Sequence, residues 1–372
     1  MPQDGGPNGA TQRARVIWQQ RTPYPLGRRL LALGDSVIVN MDVGARAVVR
    51  RLDVATGDVL WEHVTKRPLA APATYTQGVL ALPLTGGVML GLDLETGAPI
   101  QPAWRPLLGE LTGPVAAHQG HIYARLLPGS GAQLVALRPR QPQPVWTLSD
   151  PTRGARDARL AFAPPWLLIA GSGASERVLA GAVDLDAGKL LWANDEIEGR
   201  FNTLWATAAG ALDIVSDKDG VAGLDPATGR VRTQRFADFP FLRAILAGDL
   251  LLCQGVVRSK SGNLVREQPA LYCFQSVGEK LQGKMTDGFS RLIGAGASEA
   301  LVELVDGQPA LLSLPKLHPV ELPQRDEIGP VLTVSFARDV AYLLGTDRHT
   351  VTALELDADA APQRVLGVAR TV

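Results

Sequence analysis

Several short stretches carry residue types that could do chemistry. Gly34-Asp35-Ser36 copies the nucleophile block of a hydrolase family. That chemistry needs the serine on a strand-to-helix turn with a histidine base held against it. Strand-like residues lie on both sides here, so the block reads as a hairpin turn. Asp217-Lys218-Asp219-Gly220 opens like a calcium loop, but the place where such a loop closes with a bidentate carboxylate is Thr228. Asp-Gly is an ordinary hairpin turn. His118 and His121 share a turn with no third ligand nearby in sequence, short of what zinc needs. Asn194, Asp195, Glu196 and Glu198 form an acidic stretch that reads as a solvated loop between repeats. The glycine-rich pieces PGSGA (128–132), GSGAS (171–175) and GAGAS (294–298) sit between strands and open no helix, so none is a phosphate cradle. The expectation is therefore no catalytic residue, no cofactor site and no metal site.

Two features remain. Cys253 and Cys273 flank a polar segment, VVRSKSGNLVREQP (256–269). Two buried thiols acting as small apolar residues are the expectation and a cross-strand disulfide the alternative. Trp104 and Arg105 in one connection, and Phe239, Phe241 and Arg243 in another, are the residue types enriched at binding hot spots. They are the candidate partner-binding residues; the alternative is that each aromatic packs beneath its own loop.

The elements that must position these residues come from a repeat. RLDVATGDVLW (51–61) recurs as GLDLETGAPIQ (91–101), AVDLDAGKLLW (182–192) and GLDPATGRVRT (223–233). ALRPRQPQPVW (136–146) keeps the frame without the Asp and Gly, and weaker copies follow at 272–282, 311–322 and 353–367. The third residue of each copy falls at 53, 93, 138, 184, 225, 274, near 313 and at 355, giving eight copies about 43 residues apart. Each copy reads as strand, Asp-capped Thr-Gly turn, strand. Two further strand-like runs precede it, RRLLALG (28–34) and SVIVNMD (36–42) in the first unit, ARLAFAP (158–164) and WLLIAGS (166–172) in the fourth. Four strands per unit without helical periodicity describe a propeller blade, so the expected fold is all-β, a single eight-bladed β-propeller over 13–372 behind a disordered lead-in at 1–12.

The pattern Ala/Gly-x-Asp-x-x-Thr-Gly-x-x-x-Trp resembles the repeats of the PQQ-type eight-bladed propellers, the quinoprotein-dehydrogenase-like family, over essentially residues 16–370. The resemblance implies that Trp61, Trp146 and Trp192, each eight residues after the Asp position, dock between blades. Gln101, Thr233 and Gln282 hold that slot elsewhere. RARVIWQQRTPYP (13–25) matches 59–68 and places Trp18 in the same slot, so the N-terminal strand is expected to close the last blade, ahead of the rival QRVLGVARTV (363–372). The PQQ-dependent enzymes of the family imply a calcium held by carboxylate and amide oxygens, a catalytic Asp, and a disulfide between adjacent cysteines. This chain has no adjacent cysteines.

Thirty-seven basic and 37 acidic residues cancel, leaving no global field for nucleic acid. No apolar run is long enough to span a bilayer as a helix. The opening MPQDGGPNGATQRAR lacks an apolar signal region and a lipidation cysteine. The expected location is cytoplasmic for that N-terminus, and periplasmic or envelope-bound where a signal has been removed. The expected function is a non-catalytic, monomeric scaffold that binds protein partners through a loop face, like the family's outer-membrane assembly factors. The alternative is a sensor or enzyme whose central funnel binds PQQ with calcium, or another small molecule.

Overall fold

The computed structural model describes residues 14–356 apart from 28, 101–109, 128–130, 142, 153–154, 174–175, 207–211, 236–241, 262–263, 276–279, 321 and 323–327. The expected lead-in at 1–12 and the rival closing segment at 363–372 lie outside the described residues. Seven sheets have four antiparallel strands, six of them in chain order and the seventh taking its outer strand from the N-terminal region. Blade one runs Leu31–Ala32, Ser36–Val43, Arg46–Asp53 and Val59–Val64. Blade four runs Arg156–Ala163, Trp166–Ser172, Val178–Asp184 and Leu190–Asn194, close to the runs expected at 158–164 and 166–172. Blade two has three described strands, Thr74–Thr76, Val79–Leu84 and Val88–Asp93, and its fourth begins as a bridge from Leu92 to Pro99. The first strands of successive blades lie against one another, which makes them the wall of a central channel.

Ring closure follows the expectation. The N-terminal strand Ala14–Arg21 pairs antiparallel with Thr350–Leu356, from Ala14 opposite Leu356 to Arg21 opposite Thr350, as the outer strand of blade eight. The first and last described strands thus share one sheet, and an edge that would otherwise be open is paired.

Both faces of each blade are covered by neighbours, so central strands are near-continuously apolar, as in Val79–Leu84, all buried. The core of the described residues divides into eight apolar clusters, one at each junction between adjacent blades. The repeat motif builds the staple at four of these junctions. Asp53 Oδ1 accepts the amides of Ala55 and Thr56 at 2.8 and 2.9 Å, which fixes the turn. Gly57 then takes φ +76°, and the indole of Trp18 lies flat on it, donating to the Val54 carbonyl at 2.9 Å. Trp61 repeats this on Leu94 O and Gly97, Trp146 on Leu185 O and Gly188, and Trp192 on Pro226 O and Gly229. The turn glycine therefore serves twice: it adopts a left-handed backbone, and it leaves room for the next ring, since a Cβ on Gly97 would stand 2.7 Å from Trp61.

Candidate functional site

In a four-stranded antiparallel blade, first-to-second and third-to-fourth turns emerge on one face. Second-to-third hairpins and blade-to-blade connections emerge on the other. The sequence candidates sort themselves between these faces.

On the turn face, Asp35 and Ser36 hold a side chain rather than a substrate. Ser36 is buried and accepts from Arg51 Nε at 2.9 Å. Arg51 also reaches Asp35 at 3.0 Å and Glu95, in the next blade, at 2.8 Å. Burial alone would raise the Asp35 carboxyl, but the Ser36 hydroxyl and the Arg51 guanidinium outweigh it and hold it below the ordinary value. This is an inter-blade clamp with no histidine in it. His118 and His121 stand opposite one another across their turn. His118 stacks on Phe162 with ring centroids 4.8 Å apart, and His121 accepts from Arg138 at 3.2 Å. Burial lowers both histidines' pKa values, and among the described residues no group of three metal-ligating side chains forms.

On the connection face, the acidic stretch and the calcium-like turn meet each other, and the turn's two aspartates accept backbone amides. Asp217 accepts the Arg200 amide and Asp219 the Glu198 amide, both at 2.7 Å. Asn194 caps Glu196 N at 2.9 Å and donates to Gly229 O at 2.8 Å. These contacts tie blade four to blade five.

The same face carries a feature that the sequence reading passed over. Leu250–Ser261 and Leu264–Gln275, the second and third strands of blade six, pair continuously over their whole length. The inner strand Arg243–Ala247 pairs only with Leu250–Gln254, and the outer strand Leu281–Met285 only with Leu271–Phe274. Gly255–Ser261 and Leu264–Ala270 therefore continue beyond the blade as a two-stranded arm, seven residues per strand, or about 24 Å at ~3.4 Å each. The segment, expected as a polar hairpin joining the second and third strands, is strand almost throughout. Its signal was present as Val256-Val257 and Leu264-Val265, spaced for a hairpin.

The pairing also settles the cysteines. Cys253 stands opposite Tyr272 and Leu252 opposite Cys273, so the two thiols point to opposite sides of the sheet. Cys253 is buried toward blade five and Cys273 toward blade seven, both as free thiols. Burial raises both pKa values, that of Cys273 to about 11. The disulfide alternative does not fit this register.

Of the candidate partner-binding residues, Trp104, Arg105, Phe239 and Phe241 lie outside the described residues. Arg243 is the first residue of blade six's inner strand, on the connection face. It faces the central channel, where a cavity of about 320 Å³ is lined by residues from six blades, including Arg29, Arg159, Asn202, Arg243, Ile293 and Thr333. Arg243 donates to the Leu292 and Ile293 carbonyls of blade seven at 2.6 and 3.0 Å. Arg159 reaches Thr203 Oγ1 of blade five at 3.2 Å. Burial lowers the pKa of both guanidiniums, and neighbouring arginines lower them further. The described lining offers no carboxylate. It does not match the oxygen donors that a calcium ion beside a quinone would take.

No curated protein matches the chain in sequence. The family model described as outer membrane protein assembly factor BamB matches residues 10–105. Among solved structures, BamB from Moraxella catarrhalis is similar over 92% of this chain and 99% of its own, at 17% identity and TM-score 0.61. The quinohemoprotein alcohol dehydrogenase ADHIIG from Pseudomonas putida HK5 is similar over 94% and 77%, at 9% and 0.61. The C-terminal WD40 domain of Sif2 covers 94% and 100%, at 10% and 0.65. At these identities the likeness is one of fold, and it bears out the resemblance to PQQ-type eight-bladed propellers at that level.

Proposed function

We propose that the protein is a non-catalytic scaffold that binds partner proteins through its connection face, in the manner suggested by the assembly-factor name of its BamB relatives. The observation that carries this reading is the blade-six arm. A two-stranded ribbon buries little by itself and is marginal in water. Among the described residues, the backbone edges of Gly255–Ser261 and Leu264–Ala270 pair only with each other. Exposed strand edges accept a strand from a partner by backbone hydrogen bonding. Trp104, Arg105, Phe239 and Phe241 belong to connections whose flanking strands open on the same face, and in this reading they supply the side-chain anchors around the arm. The propeller then works without a redox cofactor or metal, as a monomer within a larger complex. No helix among the described residues is long and apolar enough to cross a membrane.

The test is affinity capture from the protein's own cells after cross-linking. It compares the wild type, a variant with residues 256–269 replaced by an Asn-Gly turn, and Phe239→Ala with Arg105→Ala. The expected result is a partner retained by the wild type, lost from the arm variant and weakened in the point variants, with circular dichroism unchanged. Equal capture by all of them overturns the choice of surface. A melting temperature raised by PQQ with calcium overturns the cofactor-free reading.

A further inference from the structure

The arginines of the channel differ from four arginines elsewhere in the ring. Arg51 faces Asp35 and Glu95, Arg125 faces Asp150 at 2.5 Å, Arg235 faces Asp213 at 2.6 Å, and Arg291 faces Glu303 at 2.8 Å. Arg29, Arg159 and Arg243 line one cavity, and among the described residues none of them has a carboxylate partner. The acid that acts on the group is Asp157, which favours the charged form of Arg159. Arg29 disfavours the charge on both of the others, and Arg159 and Arg291 disfavour that on Arg243.

Stitching blades together does not require these charges. Arg243 spends two N–H donors on carbonyls and Arg159 one on a hydroxyl. Carbonyls and a hydroxyl need a donor but not a positive charge, so these contacts leave the like-charge repulsion in the channel uncompensated. What the three guanidiniums provide beyond stitching is a converging set of donors suited to planar or tetrahedral oxyanions. Asn202 adds an amide to the same lining, while Ile293, Val334 and Leu30 give it apolar walls. A few convergent polar groups on a largely formed concave wall describe a small-ligand site. At the ~30 Å³ that a water takes up in the liquid, the cavity of about 320 Å³ holds roughly ten water-sized groups.

We infer that the axial cavity binds a compact oxyanion carrying two or more negative charges, of phosphate-ester or polycarboxylate type, between Arg29, Arg159 and Arg243. The site goes beyond the partner-binding reading and does not rest on it: it uses the channel wall, whereas the arm stands outside the blade.

The probes are sodium pyrophosphate and sodium citrate, titrated against sodium chloride at matched ionic strength. Melting temperature and isothermal titration calorimetry are the readouts, on the full chain and on Arg159→Gln and Arg243→Gln. The expected result is a saturable rise in melting temperature beyond the chloride control, with binding about tenfold weaker or more in each variant, as loss of a charge-assisted contact predicts. In anion-free buffer circular dichroism should show both variants folded like the wild type, so that a loss of binding reports the lost guanidinium. A response to pyrophosphate alone assigns the phosphate class and to citrate alone the carboxylate class; either supports the site. No heat or shift beyond chloride, or equal binding by wild type and both variants, overturns it. Binding that persists when residues 256–269 are replaced by Asn-Gly is expected, and it separates this site from the partner surface.

Discussion

Each docking tryptophan depends on a glycine in the next blade, so the staple can be broken from either side. Gly97→Ala forces a Cβ to 2.7 Å from Trp61 at φ +68°, whereas Gly44→Ala meets nothing within 4 Å at φ +59°. The two share the cost of a left-handed backbone, about 1–3 kcal/mol, and only Gly97→Ala must also displace a ring. Urea denaturation should show Gly97→Ala as the clearly less stable of the two. Trp61→Ala, which empties the pocket and leaves the Leu94 carbonyl with only its bond from Arg51, should cost about 3–5 kcal/mol. Titration belongs to this scale as well. The folded pKa of His118 lies below the ordinary 6.5, first through burial and then through His121. The unfolded chain therefore takes up the proton first, and stability held above about pH 6.5 falls as the pH drops toward the folded value. Chemical denaturation at pH 7 and pH 5 should show a loss that shrinks in His118→Phe, which keeps the stack on Phe162.

Among the elements, the N-terminal strand has the largest consequence for its length. Eight residues complete blade eight by pairing with Thr350–Leu356, and they place Trp18 on blade one. The neighbouring chain adds to the clasp: Thr22 N donates to His349 O at 2.8 Å, and Arg348 donates to Leu26 O at 2.6 Å and to Asp42 at 2.8 Å. Deleting residues 1–21 removes the pairing and the staple together and exposes Thr350–Leu356 as an edge. The truncated chain should lose its cooperative thermal transition and associate more strongly than the full chain at the same concentration, as read by calorimetry and light scattering. The blade-six arm is the opposite case, since cutting it back at Gly255 and Ala270 removes no blade-to-blade pairing and should leave the thermal transition nearly unchanged.

Around the whole ring the staples are unevenly placed. Tryptophans join blade eight to one, one to two, three to four and four to five. From blade five round to eight, the junctions rest on apolar clusters and on polar stitches, such as Asn202 to the Ala244 amide at 3.1 Å and Gln254 to the Leu292 amide at 3.0 Å. Amide exchange reports local opening. Protection should be lower in strands of blades six and seven than in the matching strands of blades one and four; equal protection would mean that the staples add nothing to the ring's local stability.

The repeat made the fold legible from sequence, because a strand-turn-strand frame recurs eight times, and in its strongest copies Asp, Thr-Gly and Trp at fixed offsets write the turn geometry and the docking partner locally. It also made Trp18 recognisable as the clasp. The cysteines, the arm and the arginine cavity were not legible in the same way. Which way Cys253 and Cys273 point depends on a register set across a long hairpin, and a slip of one residue would reverse it. Val256-Val257 and Leu264-Val265 look like loop ends until pairing carries them past the blade. Arg29, Arg159 and Arg243 are more than 80 residues apart in sequence from one to the next, and each alone is an ordinary arginine in or beside an inner strand. Local spacing determines the blade, but only closing eight blades on one axis decides which side chains share the channel, since that convergence is a property of the ring and of no single repeat.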